Sequence, residues 1–93
     1  MIKSFADKRT LWIAQGRLVK GLWREVQQAA FYRLTALQEA KTVEDLRIPP
    51  SNRLEKLVGD RVGQWSIRVN RQWRICFQWR DGEAWEAELV DYH

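Results

Sequence analysis

Two arginines, a tyrosine and a histidine carry most of the chemical possibility in this 93-residue chain. Segments 64–69 and 73–79 alternate apolar with polar residues, the period of a strand with one buried face. Directly opposed residues of an antiparallel pair share a face, so Trp65, Ile67 and Val69 must lie with Trp73, Ile75 and Phe77. A three-residue loop, Asn70-Arg71-Gln72, achieves this by pairing Val69 with Trp73 and Ile67 with Ile75. The same register sets Arg68 directly opposite Arg74. Facing guanidinium groups repel unless an anion or an acid lies between them. In the next hairpin, a two-residue Asp81-Gly82 turn would pair Phe77 with Glu86 and drive an acid into the apolar face. Parity instead favours a three-residue loop, Asp81-Gly82-Glu83, which pairs Phe77 with Ala87 and Trp79 with Trp85. Arg74 then faces Val90, Tyr92 lies diagonally from Arg74 on the same face, and His93 follows. Such a cluster suits a phosphate. The competing reading is that Glu86 or Glu88, of the same parity, neutralises the arginines in an ordinary surface ladder, and register alone leaves both open. Taken singly, a chain-end histidine also reads as a frayed terminus, and Tyr92 as a rim residue.

The elements that must position this cluster fall into two halves separated by Pro49-Pro50. Met1 to Ala6 alternates like a short edge strand, and Asp7 offers an N-cap for a helix ending near Gly16. From Leu22 to about Ala40, Trp23, Val26, Ala30, Leu34 and Leu37 recur at steps of three and four, with Arg24, Gln27, Gln28 and Gln38 elsewhere around the axis. Thr42 to Leu46 can begin another turn, and Ile48 to Asn52 should be irregular, because a residue before proline is pushed away from helical dihedrals. Three antiparallel strands follow, with Arg53 to Leu57 a candidate fourth. The expected fold is α+β, one domain over residues 1–93, with two N-terminal helices packed on a twisted antiparallel sheet. Trp65, Trp73, Trp79 and Trp85 have interior parity, and Trp12 and Trp23 are placed to pack the helices onto the sheet. Cys76 shares the parity of the arginines and reads as a buried, inert thiol.

Composition narrows the function classes. A chain of this length makes one core, which rules out a multi-domain enzyme. The hydrophobic fraction of 45% and charged fraction of 30% are those of a globular protein. No apolar run approaches the roughly 18 residues that cross a bilayer, and the first residues lack the apolar stretch of a secretory signal, so a cytoplasmic location and no membrane partner are expected. A single cysteine cannot form an internal disulfide, and a single histidine cannot assemble a zinc cluster, so neither metal nor cofactor is expected. The formal net charge is +4, and eleven of the sixteen cations are arginine, the residue suited to phosphate. Charge of this size is common among soluble proteins and decides nothing by itself.

The residues Asn52-Arg53-Leu54-Glu55, Gly59-Asp60-Arg61, Gln64 to Asn70, Gln72 to Phe77 and the ending Val90-Asp91-Tyr92-His93 resemble the HigB toxins, the host-inhibition branch of the RelE/ParE superfamily. The opening Met1 to Phe5 does so too, and the likeness covers essentially the whole chain. The resemblance implies helices on a twisted antiparallel sheet and a ribosome-dependent endoribonuclease that cuts mRNA in the decoding site. It also implies silencing by a helix-turn-helix antitoxin of the HigA type, with the toxin itself a monomer outside that complex. On the matching positions it makes Arg74, Asp91, Tyr92 and His93 active-site groups, with Arg68 beside them. Where some members carry a histidine and a lysine after the proline loop, this chain has Glu55 and Val58, with Lys56 nearby, so the general base is not assigned.

The chemistry agrees with that implication. RNA can be cut by its own 2′-hydroxyl, so an enzyme need only position the strand, move protons and stabilise charge on phosphorus, without a metal. Arg68 and Arg74 would hold the phosphate, and His93, titrating nearest neutrality, would protonate the leaving 5′-oxygen. Tyr92 would stack a base or shuttle a proton. Asp91 would orient His93 or take a proton itself, although parity puts it on the core face unless the strand twists at its end. Arg53, Lys56, Arg61 and Arg71 read singly as solvated charges and together as contacts to mRNA and rRNA backbones. Two other functions compete: a toxin that binds without cutting, like the gyrase-poisoning branch, and a decayed toxin that retains only antitoxin and operator binding.

Overall fold

The computed structural model describes residues 1–92. Helix α1 spans Lys8–Ala14 and α2 spans Arg24–Glu39. Asp7 caps α1, its carboxylate accepting from the Thr10 N–H at 2.7 Å, as the sequence predicts. Short 3-10 turns over Val43–Arg47, Pro50–Asn52 and Gly59–Arg61 lead into and interrupt a four-stranded antiparallel sheet. Its strands are β1 (Glu55–Lys56), β2 (Gln64–Arg68), β3 (Trp73–Arg80) and β4 (Glu83–Asp91), in sequence order across the sheet. The candidate fourth strand is thus present but only two residues long. The N-terminal segment forms no full strand; Ile2 and Phe5 make single parallel bridges to Ala84 and Ala87 along the free edge of β4.

The core lies between the helices and one face of the sheet. Ile13 from α1 and Ala30, Leu34 and Leu37 from α2 meet Ile67, Ile75, Phe77, Ala84, Ala87 and Leu89, all buried. The α1 end is fastened to β4 by the buried Thr10 hydroxyl, which accepts the Leu89 N–H at 2.9 Å, and by Arg9, which donates to the Leu89 carbonyl. Gln27, expected off the apolar stripe, is 6% exposed. Its amide accepts from Val19 N–H and donates to the carbonyls of Val19 and Leu22, so one buried polar side chain closes the loop between the helices with its hydrogen bonds satisfied.

The first hairpin has the register read from parity: Ile67 faces Ile75 and Arg68 faces Arg74. The second does not begin as expected. Asp81 and Gly82, at φ 53° and 75°, form the two-residue turn that parity disfavoured, with Arg80 opposite Glu83 and Trp79 opposite Ala84. A bulge then repairs the pattern. Gln78 faces Trp85 while Cys76 faces Glu88, so Glu86 and Ala87 together oppose Phe77. Glu86 takes φ 53° and leaves the apolar face, where Ser4 donates to its carboxylate at 2.7 Å. Beyond the bulge, Arg74 faces Val90 as expected.

The turn also corrects the tryptophans. Trp85 stands with Gln78 on the outer face, beneath the Arg80 guanidinium at 4.5 Å from its ring centroid, and Ala84 takes the interior place. Trp23 is 78% exposed at the start of α2 and packs nothing onto the sheet, and Trp12 carries the Arg17 guanidinium at 5.0 Å. Trp65, Trp73 and Trp79 pack against the core as expected. Among the described residues no helix is long and apolar enough to cross a membrane.

The turn at Val43–Arg47 yields a pH prediction. The Asp45 carboxylate accepts from the backbone N–H groups of Lys41 and Thr42 and from the Thr42 hydroxyl. The Thr42 and then the Lys41 backbone bonds hold its pKa below the ordinary carboxylate value. A depressed folded-state pKa gives stability that is present above the unfolded pKa and lost as pH falls through the folded one. The stability advantage of wild type over Asp45→Ala, measured by urea denaturation, should therefore hold at pH 6 and shrink below about pH 4.

Candidate active site

Alternation in β2 and β3 sends Ile67, Ile75 and Phe77 to the core and Ser66, Arg68, Arg74 and Cys76 to the opposite face. Arg68 and Arg74 sit at the end of the hairpin, and with Arg53, Asn70, Arg71 and Tyr92 they line an open concavity of about 410 Å³. Four elements converge there. Arg53 ends the Pro50–Asn52 turn in a left-handed conformation, φ 46°. Asn70 and Arg71 come from the β2–β3 loop, whose shape is fixed by the Asn70 side chain accepting from Gln72 and Trp73 N–H, both at 2.8 Å. Tyr92 follows β4 and is tied by its N–H to the Gln72 carbonyl at 2.6 Å.

Both facing arginines are held by their stems. Arg74 donates from Nε to the Ser66 hydroxyl at 2.8 Å and from Nη2 to the Arg53 carbonyl at 2.7 Å, and its guanidinium lies 5.6 Å from the centroid of the Tyr92 ring. Arg68 donates from Nε to the Asn70 carbonyl at 3.1 Å. Neither pairs with an acid among the described residues. The ladder reading is thereby corrected: Glu88 pairs with Arg61 at 3.3 Å, and Glu86 is taken by Ser4 across the bulge. Both guanidinium groups line the concavity and retain N–H donors unpaired among the described residues, an arrangement that a bound phosphate oxygen would neutralise. With cations, an amide and a phenol and, among the described residues, no carboxylate, the lining suits an anion and not a metal cation.

The other sequence-derived residues divide. Arg53 and Arg71 join the concavity. Arg61 is engaged with Glu88 and Gln64, and Lys56, opposite Trp65, lays its ammonium 5.6 Å from that ring on the other face of the sheet. Asp91 faces Trp73 and accepts from the Gln72 amide at 3.1 Å, apart from the concavity. His93 lies outside the described residues. Cys76 is fully buried beneath the outer face; burial pushes its thiol pKa up, with Arg61 and Arg74 pulling against this. Sequence reasoning missed Ser66, which parity placed on the right face but whose bond to Arg74 needs three-dimensional proximity. It also missed Arg33 of α2, which donates to the Arg68 carbonyl at 2.9 Å across 35 positions.

If two unneutralised arginines form an anion site, phosphate should stabilise the fold. At a phosphate concentration near its Kd, the gain of about 0.4 kcal/mol corresponds to a rise in Tm of about 2–3 °C over chloride at equal ionic strength. Arg68→Ala should remove the difference in a thermal scan.

The fold of helices over one face of an antiparallel sheet is similar to that of a chain in the YoeB-YefM complex from Staphylococcus aureus. The likeness has a TM-score of 0.62 and covers 100% of this chain and 95% of that one, at 17% identity. The chain belongs to the HigB-like toxin family, the RelE-like toxins of the type II toxin-antitoxin system HigB, whose family profile matches residues 3–93. It is 51% identical over 64 residues to Toxin HigB-1 of Vibrio cholerae serotype O1, covering 69% of this chain and 67% of that protein. It is 34% identical to the Endoribonuclease HigB of Proteus vulgaris over 93 residues, the full length of both. As a type II toxin, its partner is an antitoxin.

Proposed function

We propose that the endoribonuclease activity of this toxin is directed at mRNA on the ribosome, and that the concavity at the end of the β2–β3 hairpin is where the phosphodiester is held. The observation that carries this reading is the facing pair Arg68 and Arg74, each anchored at Nε and neutralised by no described acid. The 2′-hydroxyl gives its proton to solvent water as it attacks, forms a bond to phosphorus and breaks the bond to the 5′-oxygen, which leaves protonated and a 2′,3′-cyclic phosphate behind; the step passes through a state of greater negative charge. Fixed guanidinium donors bind that state more tightly than the substrate, which is what accelerates the step.

His93, next to Tyr92 in sequence, supplies the proton to the leaving 5′-oxygen. Tyr92, 44% exposed, offers its ring to a neighbouring base. Arg53 and Arg71 extend the cationic surface along the RNA backbone. Such a substrate places the toxin in the cytoplasm, and its antitoxin is of the helix-turn-helix, HigA type.

The test is to add the protein to a translating extract and map mRNA 5′ ends by primer extension. New ends inside the reading frame, absent when translation is blocked, are expected. Growth inhibition without new ends would overturn the reading in favour of a toxin that binds and does not cut.

A further inference from the structure

The chemistry asked of Arg74 requires its guanidinium to be aimed before RNA arrives, and two groups aim it. The Ser66 hydroxyl accepts Nε–H at 2.8 Å and the Arg53 carbonyl accepts Nη2–H at 2.7 Å, leaving Nη1 bonded to none of the described residues. Ser66 itself is 0% exposed, although β2 presents it on the outer face of the sheet, between Glu55 of β1 and Cys76 of β3. A polar side chain on a sheet face normally meets water; this one is sealed, and its hydroxyl is committed to the arginine two positions along on the neighbouring strand. An arginine without such an anchor samples many rotamers, and the loss falls on the rate, since a misplacement of about 1 Å costs roughly 100-fold.

We propose that Ser66 is a positioning residue for Arg74: with the Arg53 carbonyl it clamps one edge of the guanidinium and so presents the remaining N–H donors to the scissile phosphate. The proposal rests on the reading of the concavity as the phosphodiester site. Arg53 contributes through its backbone, and its left-handed conformation turns that carbonyl toward Arg74. Ser66 touches no substrate and acts only through Arg74, so its removal should slow the chemical step and spare binding. The other cations of the concavity, Arg53, Arg68 and Arg71, still hold the RNA.

The experiment measures mRNA cleavage on programmed ribosomes by wild type, Ser66→Ala and Ser66→Thr, together with the NMR signal of the Arg74 Nε–H, identified by its absence in Arg74→Lys. Ser66→Ala should lower kcat about 10- to 100-fold with KM within about twofold, and Ser66→Thr, which keeps the hydroxyl, should recover most of the rate. The Nε–H of wild type should exchange slowly with water and lose that protection in Ser66→Ala. A kcat for Ser66→Ala equal to wild type, a rise confined to KM, or a wild-type Nε–H in free exchange would each overturn the proposal. The last of these does not depend on Ser66→Ala folding. The two failures are distinguishable: absence of cleavage by wild type removes the functional reading and the role of Ser66 with it, whereas equal cleavage by wild type and Ser66→Ala removes the role of Ser66 alone.

Discussion

Replacing Arg74 with alanine is expected to lower mRNA cleavage about 100- to 1000-fold while leaving the fold and antitoxin binding intact, the range seen when one preorganised donor to a developing oxyanion is removed. Two features make Arg74 the more consequential of the pair. Its guanidinium is fixed at Ser66 and Arg53, and its face lies over Tyr92, so it is the member whose position is best determined. Arg68 has one such bond, to Asn70. Lysine at position 74 would keep the charge and lose the planar fork that reaches Ser66 and the phosphate together, so Arg74→Lys should recover little of the rate. The loss should not be a loss of folding. Removing Arg74 breaks two hydrogen bonds but relieves the repulsion of facing arginines, effects of about 1 kcal/mol each that oppose one another. Cleavage at single-turnover concentrations, read beside circular dichroism and antitoxin pull-down, decides the matter. A variant that cuts within a few-fold of wild type would remove Arg74 from the mechanism.

How much of this site could be read from the chain depends on which rule was applied. Parity along β2 and β3 is local and strict, because a slip of one residue would turn Ile67, Ile75 and Phe77 outward, so the facing pair Arg68 and Arg74 is legible in the sequence. The same rule failed at Asp81-Gly82. It assumes an uninterrupted ladder, and β4 contains one extra residue opposite Phe77. Glu86 carries no sequence mark of its left-handed conformation; the pressure of an acid that would otherwise enter the core is visible in the sequence, but a longer loop and a bulge relieve it equally well. Trp85 was misplaced by that single assumption, while Arg74 and Val90, beyond the bulge, were not. The helices were legible from their apolar spacing, and Gln27 was not, because a buried glutamine is explained only by the loop carbonyls that surround it. Asp91 faces Trp73 as parity says it should, apart from the concavity. The fate of Glu88 could not be read at all: its pairing with Arg61 joins β4 to the turn at Gly59–Arg61, and that contact takes Glu88 away from Arg68 and Arg74.

Phe77→Ala should be the reverse of Arg74→Ala, a large loss of stability with little direct effect on the site. Phe77 is fully buried on β3, meets the edge of Trp79 at 6.4 Å between ring centroids, and lies opposite the bulge where Ala87 and, farther along, Ala84 are also fully buried. Those two alanines cannot grow to fill the space, and the backbone around Phe77 is fixed by hydrogen bonding on both sides of β3, so the cavity would stay open. A core phenylalanine truncated under such conditions costs about 3–5 kcal/mol, a third or more of the stability of a small domain, and lowers Tm by about 15–30 °C. Phe77→Leu, which keeps most of the volume, should cost less than about 2 kcal/mol. Urea unfolding followed by tryptophan fluorescence measures both, and a cost below about 1.5 kcal/mol for the alanine variant would show that the sheet and helices close over the gap. Because Phe77 points away from the arginines, Phe77→Ala that is still folded at low temperature should cut mRNA at a rate close to wild type per folded molecule. Arg74→Ala should melt near the wild-type temperature and not cut. The two positions are offset by three along β3, an odd step that places their side chains on opposite faces of one strand, so the pair of variants tests whether β3 keeps its stabilising and its chemical functions apart.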